Sequence, residues 1–290
     1  MSPAATAALL MIGSGSVHAV VNAIVKGGKD QRARQGDAVP GTRMMAARAL
    51  TDGSSAAILL PATLFVAAPG GAWGWLAASA ALHALYLYAL IRAYQVADFS
   101  AAYPVLRGTA PLVTALVTLG WLGESATAHQ IAGIALIGVA MFVLVSGRHI
   151  GGGALGWSLL TGFTIAGYTV IDAHGVRAAP APESYIVWLF VIMGAVVATM
   201  FTLVSKGALF RAAATQWRPG AIAGALSIVT YGMALLAFSL GPTAPLAALR
   251  ETGMVTALLI SIFVMREAVT AGRVAAIAMI LGGAALILAR

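Results

Sequence analysis

The chain has 290 residues, of which 60% are hydrophobic and only 9% charged, and its mean hydropathy is +0.93; soluble domains are about a quarter charged, so a water-soluble fold is excluded. The net charge of +8 sits mostly in loops rather than on one face of a soluble domain, which excludes nucleic-acid binding. Cysteine is absent, so disulfides, thiolate metal sites and cysteine nucleophiles are excluded as well.

The apolar residues come in blocks near 20 long, the length that crosses the ~30 Å hydrocarbon layer as a helix. Membrane barrels show strands of about 10 alternating residues instead, and the stretch 131–145 has no polar side chain at all. Segmenting at Gly, Pro and charged clusters predicts about ten spans, at 3–25, 44–67, 73–96, 100–122, 128–146, 153–174, 184–205, 220–240, 244–264 and 271–289. The first lacks the basic leader of a cleavable signal and is long enough to cross, so it is read as a membrane helix. His18, Asn22 and Lys26 recur every four residues along one stripe of it. Lys26 ends the span and is expected to snorkel to the interface. The second span is the least apolar, because Arg48 and Asp52 fall in its first turns, and a re-entrant segment is the alternative there. The third carries a polar and aromatic run, His83, Tyr86, Tyr88, Arg92 and Tyr94. Its rings are candidates for substrate contact, whereas Tyr94, near the span end, reads as a headgroup anchor.

The fourth span contains Tyr103-Pro104-Val105-Leu106-Arg107-Gly108, and the ninth contains Leu249-Arg250-Glu251-Thr252-Gly253. An ionisable group within a span costs roughly 2.5 to 3.5 kcal/mol on insertion scales, so Arg107 and Arg250 must face a cavity or a partner. Two readings stand. The guanidiniums converge on a central cavity and select an anionic or zwitterionic solute, or each pairs with a carboxylate or caps loop carbonyls, with Glu251 as a ready partner. In the sixth span Tyr168 and Asp172 share a face. Asp172 and Glu251 are candidates to bind and release a coupling proton. Glu124 and Glu267 follow the fourth and ninth spans in matching places and are expected to cap the next helix. Gly133, Gly138, Gly282 and Gly283 read as close helix packing. The five histidines are scattered without a His-Glu-x-x-His spacing, so no metal site is expected. Gly151-Gly152-Gly153 lacks the Gly-Lys-Ser/Thr of a phosphate loop, so neither ATP drive nor a cofactor is expected.

Tyr88 and Tyr231 are 143 residues apart, and the same offset relates Arg107 to Arg250, Thr109 to Thr252, Glu124 to Glu267 and Thr127 to Thr270. Five spans separate equivalent helices, and an odd number reverses their direction. The predicted fold is therefore an all-α integral membrane protein of about ten transmembrane helices, with 1–147 and 153–290 as two inverted five-helix repeats. Such repeats place a solute site near the bilayer midplane between the halves, where rocking exposes it to each side in turn. Most of the 17 Lys and Arg fall on one face, which the positive-inside rule makes cytoplasmic, with both termini on the other. The expected location is an inner (plasma) membrane of bacterial type, crossed many times.

The two half-length repeats, Tyr103-Pro104 followed by Arg107-Gly108, and the steps Gly123-Glu124 and Arg266-Glu267 before the fifth and tenth spans resemble EamA-type members of the drug/metabolite transporter superfamily. His18, Asn22 and Lys26, the stretch from Tyr168 to Arg177, and Ala248-Leu249-Arg250-Glu251-Thr252 resemble a subgroup of that family. The resemblance covers nearly the whole chain; the basic stretch 26–43 is longer than the first loop such proteins usually have. It implies a ten-helix secondary carrier, often an exporter, for a small organic solute, with no cofactor. The candidate substrate residues are Arg107, Arg250, Glu251, Tyr103, Asp172, Tyr168, Asn22, His18 and His83, and Pro104, Gly108, Glu124 and Glu267 are structural candidates. The competing function is an intramembrane enzyme acting on lipid or polyprenyl-phosphate headgroups, whose groups cluster at one membrane face, whereas Arg107 and Arg250 are expected to lie symmetrically about the midplane. A membrane protein of purely structural role is a third reading, and the buried charges weigh against it.

Overall fold

The computed structural model describes residues 1–32, 40–97, 99–145, 150–205, 208–264 and 269–289; the side chains of 21–32, 40–45, 99, 100, 204, 205 and 208–216 lie outside the description. Among the described residues every regular element is helical. The α-helices are α1 (Pro3–Arg32), α2 (Pro40–Leu59), α3 (Trp73–Val96), α4 (Phe99–Gly120), α5 (Ala128–Val143), α6 (Gly152–Ala178), α7 (Pro182–Ser205), α8 (Ala208–Leu240), α9 (Thr243–Arg250), α10 (Gly253–Phe263) and α11 (Ala271–Leu288). Short 3-10 turns at Leu60–Leu64 and Gly70–Ala72 join α2 to α3. Eight stretches are long and apolar enough to cross a membrane, α9 and α10 counting together as one, and α5 is a shorter apolar helix of 16 residues. The protein is an all-α, multi-pass membrane protein.

Hydropathy marks where a helix lies in lipid, not where it ends. The helix α1 runs on to Arg32 and α8 begins at Ala208 rather than Gly220. The added segments are rich in Lys, Arg, Gln and Ala, good helix formers whose charges water can solvate. The ninth span is broken. After Arg250 the backbone turns through Glu251 and Thr252, where Glu251 N–H donates to Ala248 O at 3.0 Å and Met254 N–H donates to Glu251 O at 2.8 Å. These i to i+3 bonds satisfy the groups that a break in lipid would otherwise strand. Opposite the break, α1 comes close because both contact residues are glycine: a Cβ on Gly253 would lie 2.8 Å from Gly15 Cα.

Helix starts follow local chemistry. Thr127 caps α5, its hydroxyl accepting from Gln130 N–H at 3.2 Å while the Gln130 side chain accepts from Thr127 N–H at 3.0 Å. At the offset position Thr270 caps α11, accepting from Arg273 N–H at 3.3 Å. The cap of α5 expected of Glu124 is thus filled by Thr127, and Glu124 reaches elsewhere, as described below; Glu267 lies outside the described residues.

The main helix pairs join the two halves of the sequence. α3 packs on α6 and α1 on α8; α4 packs on α6, and α9 and α10 pack on α1; α2 packs on α7 and α5 on α11. The α5 and α11 pair is antiparallel: Gly133 faces Gly283 and Ile287, while near the other end Gly272 faces the Val143 carbonyl at 3.9 Å. A Cβ on Gly283 would stand 2.7 Å from both Gly133 O and Ile137 Cγ1, so small residues set this spacing. The least apolar helix, α2, is gripped between α7 and α8 at Gly194 and Gly224, where Ser55 Oγ donates to Gly224 O at 3.1 Å. That grip fixes the positions of Arg48 and Asp52.

Candidate functional site

A cavity of about 110 Å³ lies between helices of both halves. His18 (α1), Arg48 and Asp52 (α2), and His83 and Tyr86 (α3) line it from the first half; Tyr168 (α6), Phe190 (α7), Ser227, Thr230 and Tyr231 (α8), and Arg250 (α9) line it from the second. His18, His83, Tyr168 and Phe190 fall in the middle portions of their helices. The volume is below the ~300 Å³ at which pockets for drug-sized ligands begin, so it suits a small solute.

Arg250 is the cavity's distinctive charge. Its Nε donates to Ser14 Oγ at 3.2 Å, and Ser14 in turn donates to Thr230 O at 2.6 Å, an arrangement made possible by the Gly15/Gly253 contact one residue along α1. Its guanidinium carbon lies 5.2 Å from the centre of the Tyr231 ring. Among the described residues no carboxylate stands within ion-pair distance of Arg250. Arg48 and Asp52, one helical turn apart, do pair, at 3.4 Å. Arg48 Nε and Thr230 Oγ1 are buried polar atoms without hydrogen-bond partners. Unsatisfied groups on the wall of an intramembrane cavity are where water or a polar solute lowers the free energy most.

The aromatic wall is built on one stack. His83 lies over Tyr168 with ring centres 3.9 Å apart and planes 21° off parallel. Tyr86 meets Tyr168 edge-on at 5.5 Å, and Tyr231 meets it edge-on at 6.3 Å. His83 Nδ1 lies 3.0 Å from Ser79 O and 3.1 Å from Ser79 Oγ, which tie the ring to its own helix. Behind this wall Asp172 is completely buried. Tyr185 donates to its Oδ1 at 2.8 Å, and Tyr231 donates to its Oδ2. Gly175 makes room for the Tyr185 ring, since a Cβ there would lie 2.5 Å from the phenol oxygen.

Arg107, which stands 143 residues before Arg250, is placed differently. Its Nε lies 2.9 Å from Glu251 Oε2, with side-chain exposures of 12% and 5%, so this charge is spent on a buried ion pair between the halves and is off the cavity wall. Tyr103 packs half-buried on the cluster of Leu106 and Tyr168. Pro104 and Gly108 shape α4: Pro104 withholds a backbone N–H, and a Cβ on Gly108 would lie 2.7 Å from Met141 Cβ of α5. Tyr94 packs inward on the Tyr168 cluster, and Tyr88 is half exposed beside Trp157. Asn22 lies in α1 with its side chain outside the description. Arg48, Asp52, Ser227, Thr230 and Tyr231 are cavity residues that sequence reasoning did not select. The available signal was the pair Arg48 and Asp52 at i, i+4 in a span, which registered there as a weakness of the helix. Among the described residues no cluster of His, Asp and Glu could hold a metal ion.

Outside the spans, Glu124 ties three elements at one end of the bundle. Its Oε2 accepts from Thr243 N–H at 2.8 Å and its Oε1 from Thr243 Oγ1 at 2.7 Å, capping α9. Arg177 NH1 donates to Oε1 at 3.0 Å, while its other nitrogens donate to Phe238 O at 2.8 Å and Gly241 O at 2.6 Å. Partial burial disfavours the ionised carboxyl, but the hydrogen bonds from Thr243 and the Arg177 guanidinium outweigh it and hold Glu124 below the usual carboxylate range.

No family model matches the chain, and no curated protein matches it. A solved structure described as "Crystal structure of protein" matches over 98% of this chain and 95% of its own, with a TM-score of 0.68 at 18% identity. At that identity the likeness is one of fold.

Proposed function

We propose that the protein is a secondary active carrier of the EamA type, moving a small anionic or zwitterionic organic solute out of the cell across a bacterial-type inner membrane by alternating access between two inverted halves. The observation that carries this reading is Arg250: a guanidinium on a cavity wall built by both halves, with no carboxylate partner among the described residues. An arginine so placed offers a planar fork to a carboxylate or phosphonate. The inverted arrangement is supported by the antiparallel packing of α5 on α11, helices related by the repeat offset, and by helix pairs that interchange when the halves are exchanged. The broken ninth span beside Arg250 is further support, because many inverted-repeat carriers build their sites at discontinuous helices. Lining residues at mid-helix favour a carrier over an enzyme working on headgroups at one face.

The test is a ligand-stabilisation screen on purified protein with amino acids, organic acids, phosphonates and lipophilic cations, repeated with Arg250→Gln, since specific binding raises apparent stability. A carboxylate or phosphonate that stabilises the wild type but not Arg250→Gln is the expected result. Stabilisation by lipophilic cations alone contradicts it.

A further inference from the structure

Asp172 is a wholly buried carboxylate behind the cavity wall, and a single residue connects it to the charge that faces the cavity. Tyr231 donates its hydroxyl to Asp172 Oδ2, and the same ring lies 5.2 Å from the guanidinium carbon of Arg250. The groups that face Asp172 are Tyr185 from α7, Tyr231 from α8, and His83 and Ser79 from α3. Among the described residues the first half shows no such relay. The repeat mate of Tyr231 is Tyr88, half exposed beside Trp157; that of Asp172 is Lys29; that of Arg250 is Arg107, held by Glu251. A packing role shared by both halves does not call for this asymmetry.

We infer that Asp172 positions Arg250 through Tyr231, so that a proton on Asp172 and a solute carboxylate on Arg250 are linked and antagonistic ligands. The inference rests on the reading of the cavity as a solute site. When Asp172 is ionised, each of its oxygens accepts from a tyrosine hydroxyl. The hydrogen bond to a charged acceptor enriches the Tyr231 ring, strengthens its hold on the guanidinium and keeps Arg250 in place for a carboxylate. A proton arriving from the aqueous phase forms an O–H on one carboxyl oxygen and removes the charged acceptor. Tyr231 then loosens, and Arg250 keeps the Ser14 hydroxyl as its aligned partner. Pre-organisation of the binding arm is lost, and solute affinity with it. Linkage makes the effect reciprocal, so solute binding expels the proton.

The experiment measures stabilisation by glycine and by formate, whose sizes suit the cavity, as a function of pH from about 8 to about 5, a range in which the glycine carboxyl stays ionised. It uses the full chain in nanodiscs and compares wild type, Asp172→Asn, Tyr231→Phe and Arg250→Gln. In wild type the apparent affinity falls about fivefold or more on acidification. The fall disappears in Asp172→Asn and also in Tyr231→Phe, which keeps the ring under Arg250 and is the variant to rely on should Asp172→Asn fail to fold. His18, His83, Asp52 and Glu251 remain in every variant, so a pH dependence that persists in both belongs to these groups and overturns the inference while leaving the solute site standing. Absence of any stabilisation that Arg250→Gln removes overturns the site reading and the inference together.

Discussion

Arg107 of α4 meets Glu251 at the end of α9 with 2.9 Å between Nε and Oε2, so the two motifs that stand 143 residues apart are joined as opposite charges rather than as two like arginines. The contact uses one arginine for structure and leaves the other on the cavity wall. Removing one partner of a buried pair leaves a stranded charge, which costs ~3 to 5 kcal/mol, whereas removing both costs far less. Glu251→Gln is therefore expected to destabilise by about 3 kcal/mol, and Arg107→Gln/Glu251→Gln to recover much of that loss, in denaturant unfolding of detergent-solubilised protein. Additive losses would mean that the pair is not coupled.

Arg250 should behave in the opposite way. Its Nε bond to Ser14 and its place over Tyr231 contribute little that the bundle needs, so Arg250→Gln is expected to unfold close to the wild-type temperature while solute affinity drops. Loss of a charge-assisted hydrogen bond, worth ~1.5 to 3 kcal/mol, corresponds to roughly ten- to a hundredfold in affinity. Arg250→Lys keeps the charge without the fork and should fall between the two. Calorimetric titration with whichever solute the screen returns measures the ratio.

The Glu124 network predicts how stability responds to acid. The folded carboxyl ionises more readily than an unfolded glutamate, whose value is near ~4.3. Its contribution is thus fully present above that value and is lost as pH falls through the lower, folded one. Glu124→Gln should lower the unfolding temperature at neutral pH and show a shallower further loss between about pH 5 and about pH 3 than wild type does. Parallel curves would show that the hydrogen bonds from Thr243 and Arg177 do not favour the ionised form.

Much of the architecture was legible because lipid imposes a length and polarity code on each helix separately. The third, sixth, seventh and eleventh helices begin or end within a few residues of the apolar blocks at 73–96, 153–174, 184–205 and 271–289. The break in the ninth span was not legible, since Arg250-Glu251-Thr252 is compatible with a continuous helix and is interrupted by its tertiary setting against Gly15. At the site, fixed offset singled out Arg107 and Arg250, but a repeat makes its members look alike, and the distinction between them lies in partners 144 residues away in one case and 236 in the other. Arg48 and Asp52 were visible as charges in a poor span; that they face the cavity follows from Gly194 and Gly224, on two distant helices that seat α2.

The close crossing of α1 on α10 offers a structural test of that break. A methyl on Gly253 would lie 2.8 Å from Gly15 Cα, where a backbone and not a flexible side chain must yield. Gly253→Ala is expected to cost ~1 to 3 kcal/mol by overpacking and to weaken solute binding through displacement of Ser14 from Arg250. Gly282→Ala, whose Cβ would meet Leu136 Cδ2 at an ordinary 3.6 Å, serves as the control and should be nearly neutral in both readouts. Equal effects of the two would remove the Gly15 contact from the account.

The most direct measurement uses the absence of native cysteine. Ser227 is a small residue on the cavity wall, and Ser227→Cys places a thiol there with little change in volume. Reconstituted in vesicles of defined orientation, it is labelled with a membrane-impermeant thiol reagent added to one side or the other. A carrier working by alternating access exposes this thiol to both sides, with the balance shifted by a bound solute. Labelling from one side under every condition would contradict it, and would mark the cavity as a one-sided site.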